Sequence, residues 1–458
     1  MKGRPASPRS MCPAPAPGMQ CACRLSRNGP PNGTPARQHV GVPGRPGRQP
    51  GPVRPQSLAM PPPAPPPPLH RCLPEEAWAW VDRQTAPVAI ERVPLAQASG
   101  RCLAAPVPAR HALPSRPTAV IDGFAVNAAS TLGASGYNPL PLRLRSATDG
   151  VLEAVAAQPI AIGEPLPPGA DAVLAADAPE PDPAAADGAG LLVCRPVAVG
   201  EGVRAPGEDC RDGETLLDAG RRLRAPDLAL LRLLGATGVE VIGRPRVAVM
   251  CCRPLADDVD AEMLQSLVTA DGGQPCLLDG HTDGESLVRR LQGLDAVDLA
   301  LCIGGTGLGH NDGAAAALAA VGGLQLRGVA IAPGDSLSLG QVAARPVCLL
   351  PGSPMACLGA YELVVGRLVR RLAGLDPGWP HQRRRARLTR KIAAALGSLQ
   401  LCWVRLRETT DAPYAEPLQV AGEPCLRAAV DADGWVPVPL QREGYASGAW
   451  VDVYLTRV

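Results

Sequence analysis

The stretch IGGTGLGHNDG, residues 303–313, is the most informative part of this 458-residue chain. It follows the apolar run 297–301 and precedes an Ala-rich run, so its glycines lie where a strand passes into a helix. Such a turn gathers backbone N–H groups and the positive end of a helix dipole at one point. The stretch therefore predicts an anion site for a phosphorylated ligand, and a purely structural turn remains an equal alternative.

Strand-like and helix-like segments alternate on both sides of this stretch, which predicts a central doubly wound parallel α/β domain. The predicted strands are 247–252, 274–278, 297–303 and 347–350, and the predicted helices are 261–270, 285–294, 313–321 and 355–372. Ligands bind such sheets beyond the carboxyl ends of the strands. The GGTGLG turn and the LPGSP turn, residues 350–354, both follow strands and should share that edge.

The flanking regions are predicted from shorter patterns. Residues 75–84 and 93–107 are predicted as helices, and apolar runs at 123–126, 172–175 and 191–199 indicate a small β-rich domain. A helix over 216–234 precedes a strand over 238–242. Runs at 399–406, 435–438 and 450–456 predict a C-terminal β-barrel-like domain. No repeat of fixed period is visible.

Composition narrows the class of protein. The hydrophobic fraction is 46% and the formal net charge is +2, and no apolar span reaches about 20 residues. A small-molecule partner is therefore favoured over nucleic acid or a membrane. The 15 cysteines are scattered through apolar runs, which indicates reduced thiols in a cytoplasmic protein. Cys12, Cys21 and Cys23 lack the paired CxxC spacing of zinc sites.

Residues 1–72 form a Pro/Gly/Arg-rich extension that we predict to be disordered. The run PPPAPPPP cannot enter a helix or a sheet interior. The extension has no continuous apolar core typical of a secretory signal. An alternative is that translation begins at Met60.

Five motifs occur in the order known from one family. They are TAVIDGFAV at 118–126, LPPGADAV at 166–173, PGEDCRDGETLLDAGRRL at 206–223, GGTGLGHND at 304–312 and LPGSP at 350–354. Over about residues 73–458 the chain resembles a divergent member of the molybdopterin molybdenumtransferase family, which comprises the bacterial MoeA proteins and the E domain of gephyrin. The family versions read DNSAMDGYAV, LPPGADAV, AGEDIRxGExLLxxGxxL, GGVSVGxxD and LPGNP.

This resemblance implies four domains and a homodimer. Residues 73–103 and 206–243 would form a discontinuous, elongated linker and dimerisation domain, and 104–205 the β-rich domain. Residues 244–378 would bind molybdopterin, and 379–458 would form the C-terminal β domain. The implied activity is a cytoplasmic, Mg²⁺-dependent insertion of molybdate into adenylylated molybdopterin with release of AMP. Implied partners are the pterin ligand, a molybdoenzyme and other cofactor-biosynthesis proteins.

The resemblance assigns catalytic and magnesium-binding roles to Asp122, Glu208 and Asp312, because Mg²⁺ prefers oxygen ligands beside a phosphate. Asp283 is a fourth candidate metal ligand, although a gap offsets it from the family's acidic pair. Each acid has a simpler explanation. Asp312 could cap the following helix, Asp122 could shape a turn, and Glu208 could be a solvated surface acid.

The two loops supply the remaining candidates for cofactor binding. Their glycines would let a ligand approach the backbone without a Cβ clash, and Ser353 replaces the family's usual Asn. The candidate cofactor-binding residues are Gly304, Gly305, Gly307, Gly309, Pro351, Gly352 and Ser353.

The chain departs from the family near this site. The family's KPGKP is APGDS at residues 332–336, which exchanges two positive charges for one negative charge. The family's TGDEL motif is replaced by CRPLA at 252–256. Asp260 replaces an Asn that follows this motif in the family, and Ile162 replaces a small hydroxyl residue. An anionic ligand should bind more weakly at this corner unless Arg253, Arg327 or Arg345 compensates.

Two functions therefore remain open. The first is a working molybdenum insertase with a rearranged anion pocket. The second is a catalytically divergent paralogue that acts as a molybdopterin-binding or carrier protein during molybdoenzyme maturation. Receptor scaffolding of the gephyrin kind is a third alternative, and no receptor-binding motif supports it.

Overall fold

The computed structural model describes residues 68–146, 150–185, 189–252, 258–278, 284–307, 312–410, 412–418 and 424–457. Predictions for residues 1–67, and with them Cys12, Cys21 and Cys23, lie outside these ranges. All cysteines within them are free thiols. No helix found there combines the length and apolar character that crossing a membrane requires.

The first third of the described chain is mainly strand. Its elements are α1 Pro74–Gln84, β1 Ile90–Pro94, β2 Val107–Pro108, β3 Thr118–Ala119, β4 Gly123–Val126, β5 Leu140–Leu144, β6 Ala156–Ile160, β7 Ala172–Ala175, β8 Pro179–Pro181, β9 Gly190–Val193, β10 Val203–Arg204, β11 Thr215–Leu217, α2 Ala225–Leu233 and β12 Gly238–Ile242. A six-stranded sheet has the order β7-β4-β6-β5-β9-β8. Its core contains Val126, Leu142 and Leu174, which agrees with the predicted small β-rich domain.

Two helix predictions in this region are partly wrong. Residues 93–107 contain the end of β1 and one 3-10 turn, Leu95–Gln97, because β1 pairs antiparallel with β12. The helix predicted from residue 216 begins at Ala225, since the preceding apolar residues enter β11 and pair with β2. Asp227 accepts a hydrogen bond of 2.9 Å from the backbone N–H of Arg224 and so fixes this helix start.

The central region contains the predicted alternation of strands and helices. Its elements are β13 Arg246–Cys251, α3 Val259–Ala270, β14 Gln274–Leu278, α4 Gly284–Gln292, β15 Leu299–Ile303, α5 Ala314–Ala320, β16 Leu324–Arg327, β17 Ile331–Ala332, β18 Ser338–Val342, β19 Arg345–Leu350, α6 Pro354–Ala360 and α7 Gly366–Leu372. The sheet order is β14-β13-β15-β19-β18-β16. The first four strands are parallel as predicted, and β18 runs antiparallel to both of its neighbours.

Both faces of this sheet are covered by buried apolar residues. Val249 and Leu301 belong to a core that also includes Trp80 of α1. Met250 and Leu349 face the other way and pack with Leu318 of α5. Strands buried on both faces produce continuous apolar runs, which is why the sequence predicted these strands well.

The last region forms a closed β structure, as predicted. Its elements are β20 Arg383–Leu388, β21 Ile392–Ala393, β22 Leu399–Arg407, β23 Tyr414–Pro417, α8 Leu426–Asp431, β24 Gly434–Val438, β25 Gly444–Tyr445 and β26 Trp450–Leu455. The order β22-β23-β20-β26-β24 closes because β24 also pairs with β22. The short strand β17 of the central region adds to β22 in parallel.

A π-helical turn, Tyr361–Val365, separates α6 from α7 and carries a buried charge cluster. Within it, Glu362 accepts hydrogen bonds from Arg457 Nη2 at 2.9 Å and pairs with His381 Nε2 at 3.0 Å. Asp271 binds Arg457, Arg370 and the Tyr361 hydroxyl. The cluster joins the end of the chain to the helices that cover the central sheet.

Candidate functional site

The carboxyl ends of three strands meet at one edge of the central sheet, as predicted. The backbone N–H of Cys252, after β13, donates to Ile303 O at 2.9 Å. The N–H of Gly304, after β15, donates to Leu350 O at the end of β19, also at 2.9 Å. The GGTG turn and the LPGSP turn are therefore adjacent, and we call this region the carboxyl edge.

The glycine turn requires glycine at two positions. Gly304 and Gly305 have φ angles of +87° and +72°, which L-residues rarely adopt. A Cβ on Gly305 would lie 3.0 Å from Ala314 Cβ. The turn thus packs against the start of α5, while the candidate Gly309 lies outside the described residues.

Asp312 lies at this edge beside Gly307. A Cβ on Gly307 would approach Asp312 Oδ2 to 2.6 Å, so the absence of a side chain there makes room for the carboxylate. The N-cap residue of α5 is Gly313. Asp312 directly precedes this residue, and its carboxylate is half-buried at the candidate site.

Two buried acids lie near the end of β13; the sequence analysis did not name Asp258, and it named Asp260 only as the replacement of a family Asn. Asp258, 4% exposed, accepts a hydrogen bond from the N–H of Asp260 at the start of α3, and Asp260 is fully buried. Burial, Asp258 and Asp312 together raise the pKa of Cys252 to about 11. This thiol is therefore protonated at neutral pH. The helix-start position of Asp258 was the only sequence signal for it.

The APGDS loop reaches the carboxyl edge through a hydroxyl pair. Thr306 Oγ1 lies 2.9 Å from Ser336 Oγ, and Thr306 is 2% exposed. On its other side the loop lines a cleft of about 480 Å³ whose far wall belongs to residues 395–401. Asp335 forms an ion pair with Arg71 at this cleft. Sequence reasoning found neither the hydroxyl pair nor Arg71.

The three arginines proposed to compensate for the missing lysines have different surroundings. Arg345 donates to the carbonyls of Val297 and Leu291, at the opposite edge of the sheet, and cannot compensate. Arg253 lies outside the described residues. Arg327, at the end of β16, is buried at the carboxyl edge.

Asp122 and Glu208 are exposed, and each accepts a hydrogen bond from a backbone N–H group, distant along the chain for Asp122 and within one turn for Glu208. Asp122 Oδ1 accepts from the N–H of Ile162 at 2.8 Å, and Glu208 Oε2 accepts from the N–H of Ala205 at 2.9 Å. Asp283 lies outside the described residues. Among the residues that the structure describes, no three His, Cys, Asp or Glu side chains form a group able to hold a metal. One chain therefore does not assemble the predicted magnesium site within those ranges.

The LPGSP turn contributes an available hydroxyl. Ser353 is the N-cap residue of α6, yet its side chain makes no capping hydrogen bond and is exposed. Pro351, within the same turn, is buried and follows Leu350, whose carbonyl accepts from Gly304. The edge thus combines backbone without Cβ atoms, hydroxyl groups and the Asp312 carboxylate.

Three family models match consecutive parts of the chain. Residues 73–235 match the MoeA N-terminal region (domain I and II), 236–371 the probable molybdopterin binding domain, and 385–456 the MoeA C-terminal region (domain IV). Together these matches span nearly all of the sequence after the N-terminal extension.

Similar proteins agree with these matches. Molybdopterin molybdenumtransferase 2 of Mycobacterium tuberculosis is 29% identical, with 79% of this chain and 94% of that protein covered. Molybdopterin molybdenumtransferase of Bacillus subtilis is 25% identical, with 80% and 90% covered. The crystal structure of a molybdopterin biosynthesis MoeA protein from Pyrococcus horikosii superposes with a TM-score of 0.65 at 27% identity, covering 84% of this chain and 99% of that one. The chain belongs to the MoeA family, the family of the molybdopterin molybdenumtransferases.

Proposed function

We propose that this protein is a molybdopterin molybdenumtransferase that acts in molybdenum cofactor biosynthesis. Its reaction would insert molybdate into adenylylated molybdopterin and release AMP. Family membership and the similarity to two molybdopterin molybdenumtransferases support the enzyme class. They favour an enzyme over the alternative of a molybdopterin carrier.

The observation that carries this proposal is the assembly of the carboxyl edge. The hydrogen bond from Gly304 N–H to Leu350 O joins the two turns that carry the family motifs. Gly305 and Gly307 are partly exposed, so a phosphorylated ligand can reach the backbone there, and the exposed Ser353 hydroxyl can donate to it. Asp312 adds a carboxylate that can accept from amino groups of a pterin ring.

Magnesium binding in this proposal requires a second copy of the chain. When bound, Mg²⁺ would neutralise charge on the phosphate and molybdate oxygens. The described part of one chain does not gather Asp122, Glu208 and Asp312. We propose a homodimer in which Asp122 and Glu208 of one copy face Asp312 of the other.

The proposed activity is tested by supplying adenylylated molybdopterin, Mg²⁺ and molybdate and following AMP release. Asp312→Asn should abolish turnover, because it removes a carboxylate from the edge and keeps its shape. The matched control is Asp452→Asn, which changes an exposed acid on β26. Tight pterin binding without AMP release by the unaltered protein would instead support a carrier.

Mixed dimers test the proposed sharing of acids between copies. Asp122→Asn and Asp312→Asn proteins should each be inactive alone. After subunit exchange, about a quarter of the sites would regain both acids, because half of the dimers are mixed and each has one intact site. Activity that stays at zero in the exchanged sample, with exchange verified by mass-tagged subunits, contradicts the shared site.

A further inference from the structure

Arg327 is a buried cation with no ion pair to any residue that the structure describes. It is 6% exposed, and its Nε, Nη1 and Nη2 atoms have no hydrogen-bond partner in the described part of the chain. The buried Arg370, 2% exposed, instead donates to Asp271 at 2.8 Å and to Pro377 O. The buried guanidinium of Arg370 therefore has a counter-charge and hydrogen-bond acceptors, whereas that of Arg327 has neither among the described residues.

Leaving this charge unpaired is unfavourable. Burial lowers the pKa of Arg327, but a guanidinium remains protonated at neutral pH. A buried charge ordinarily costs stability unless an opposite charge and hydrogen bonds compensate for it. An anion bound at this point would supply both.

The register of the sheet places Arg327 on the α5 face. Arg327 is paired with Ser338 across β16 and β18, so their side chains share one face. Along β18 that face also carries Val342, which packs in the core cluster with Leu318 of α5. Leu339 faces the opposite core cluster. Arg327 therefore lies on the side of the sheet that holds the glycine turn and α5.

Hydroxyl groups lie next to it at the same edge. Ser338 Oγ donates to Ser336 O at 3.2 Å, and Ser336 Oγ pairs with Thr306 Oγ1 at 2.9 Å. Thr306 belongs to the glycine turn. Ser336 thus links the register partner of Arg327, through its backbone carbonyl, to the glycine turn, through its hydroxyl.

We propose that Arg327, with the hydroxyls of Thr306 and Ser336, binds a tetrahedral oxyanion at the carboxyl edge. The guanidinium would donate two hydrogen bonds in a fork, and the hydroxyl of the Thr306–Ser336 pair that accepts within the pair keeps its own proton free to donate to a further oxygen. In this chain the positive charge comes from strand β16, because the APGDS loop carries no lysine. The oxyanion is either a phosphate group of the ligand or molybdate itself, and this identification rests on the proposed function.

The test compares Arg327→Met with Arg246→Met in the full-length protein. Arg246 is an exposed arginine at the start of β13, at the opposite edge of the sheet, and gives the same change of charge. Inorganic pyrophosphate and molybdate are titrated separately by isothermal calorimetry, and thermal unfolding is followed without and with each anion. Arg327→Lys keeps the charge and removes the fork.

The unaltered protein should bind at least one of the two anions saturably, and the anion that binds identifies the source of the oxyanion. Arg327→Met should weaken that binding at least about tenfold, since charge-assisted hydrogen bonds are lost, while Arg246→Met leaves it unchanged. Arg327→Lys should be intermediate. Without anions, Arg327→Met should unfold at a higher temperature than the unaltered protein, because the unpaired buried charge is gone.

Equal anion affinity in Arg327→Met and the unaltered protein overturns the proposal. So does saturable binding of neither anion by the unaltered protein. Anion binding that depends on Arg327 in a protein that releases no AMP would retain this site and contradict the proposed enzyme. AMP release that Arg327→Met leaves unaffected would support the proposed enzyme and contradict the proposed anion site.

Discussion

Arg457 Nη1 lies 2.7 Å from Asp271 Oδ1, so the second-last residue of the chain is tied to the residue that ends α3. Asp271 is 2% exposed and also binds Arg370. The second amino group of Arg457 binds Glu362. The end of the closed β structure is therefore held to the central helices by buried charge.

Arg457→Met is expected to lower the free energy of unfolding by about 3 kcal/mol, because it leaves two buried carboxylates with less counter-charge. Urea denaturation measures this loss. The control is Arg407→Met, which breaks an exposed pair with Glu416 and should change stability by less than about 1 kcal/mol. Equal losses in the two variants would contradict a special role for the buried cluster.

Acid should destabilise the protein partly through Glu362. Burial raises the pKa of this carboxyl, but the hydrogen bond with His381 and the charge of Arg457 outweigh burial and leave the pKa below its ordinary value. A lowered folded-state pKa contributes stability that is present above the unfolded pKa, about 4.3, and is lost as the pH falls through the folded pKa.

Glu362→Gln should therefore show a shallower loss of stability on acidification than the unaltered protein. Urea unfolding at a series of pH values between about 3 and 7 gives the two slopes. The comparison uses the pH dependence and not absolute stability, since the substitution also removes ion pairs. Identical slopes below about pH 4.5 would show that Glu362 does not carry this dependence.

Gly307→Ala should displace the Asp312 carboxylate, because the new methyl group would lie 2.6 Å from Oδ2. We expect a large loss of AMP release with little change in thermal stability. Gly136→Ala is the control, since a Cβ there meets nothing within 4 Å. Wild-type turnover by Gly307→Ala would contradict the importance of the carboxylate position.

The hydroxyl pair should couple the glycine turn to the APGDS loop. A double-mutant cycle with Thr306→Val and Ser336→Ala is expected to give a coupling energy of about 1 kcal/mol, which is typical of one buried hydrogen bond. Chemical denaturation of the four proteins measures it. Additive effects of the two substitutions would show that the 2.9 Å contact contributes nothing to stability.

The sequence predicted those parts of the fold that local pattern determines. Strand β14 was predicted to the residue, and β13, α3 and β15 within two residues at each end, because strands and helices buried in an α/β sheet have continuous or periodic apolar patterns. The single helix predicted over 355–372 is instead α6, the π-helical turn and α7. Residues 216–234 look helical throughout, yet Leu216 and Leu217 pair in a strand. Only the tertiary pairing of β11 with β2 decides this.

The candidate site was predicted less completely. The meeting of the two glycine-containing turns followed from strand direction alone. The contact of Thr306 with Ser336 depends on the antiparallel strand β18, which the sequence did not indicate. The burial of Arg327 likewise depends on register across β16 and β18. No local sequence pattern predicts whether Asp122 and Glu208 of one copy meet Asp312 of another, because that depends on how the copies assemble.

The segment from Ile331 to Ser336 links the closed β structure to the carboxyl edge of the central sheet. Its first residue pairs with Leu399 of the closed β structure, and its last contacts Thr306 at the carboxyl edge. The two contacts are made by the first and the last residue of a six-residue segment. A substitution that moves β22 will therefore also move Ser336, so the C-terminal β structure is a place from which ligand affinity can be altered without touching any group that binds the ligand.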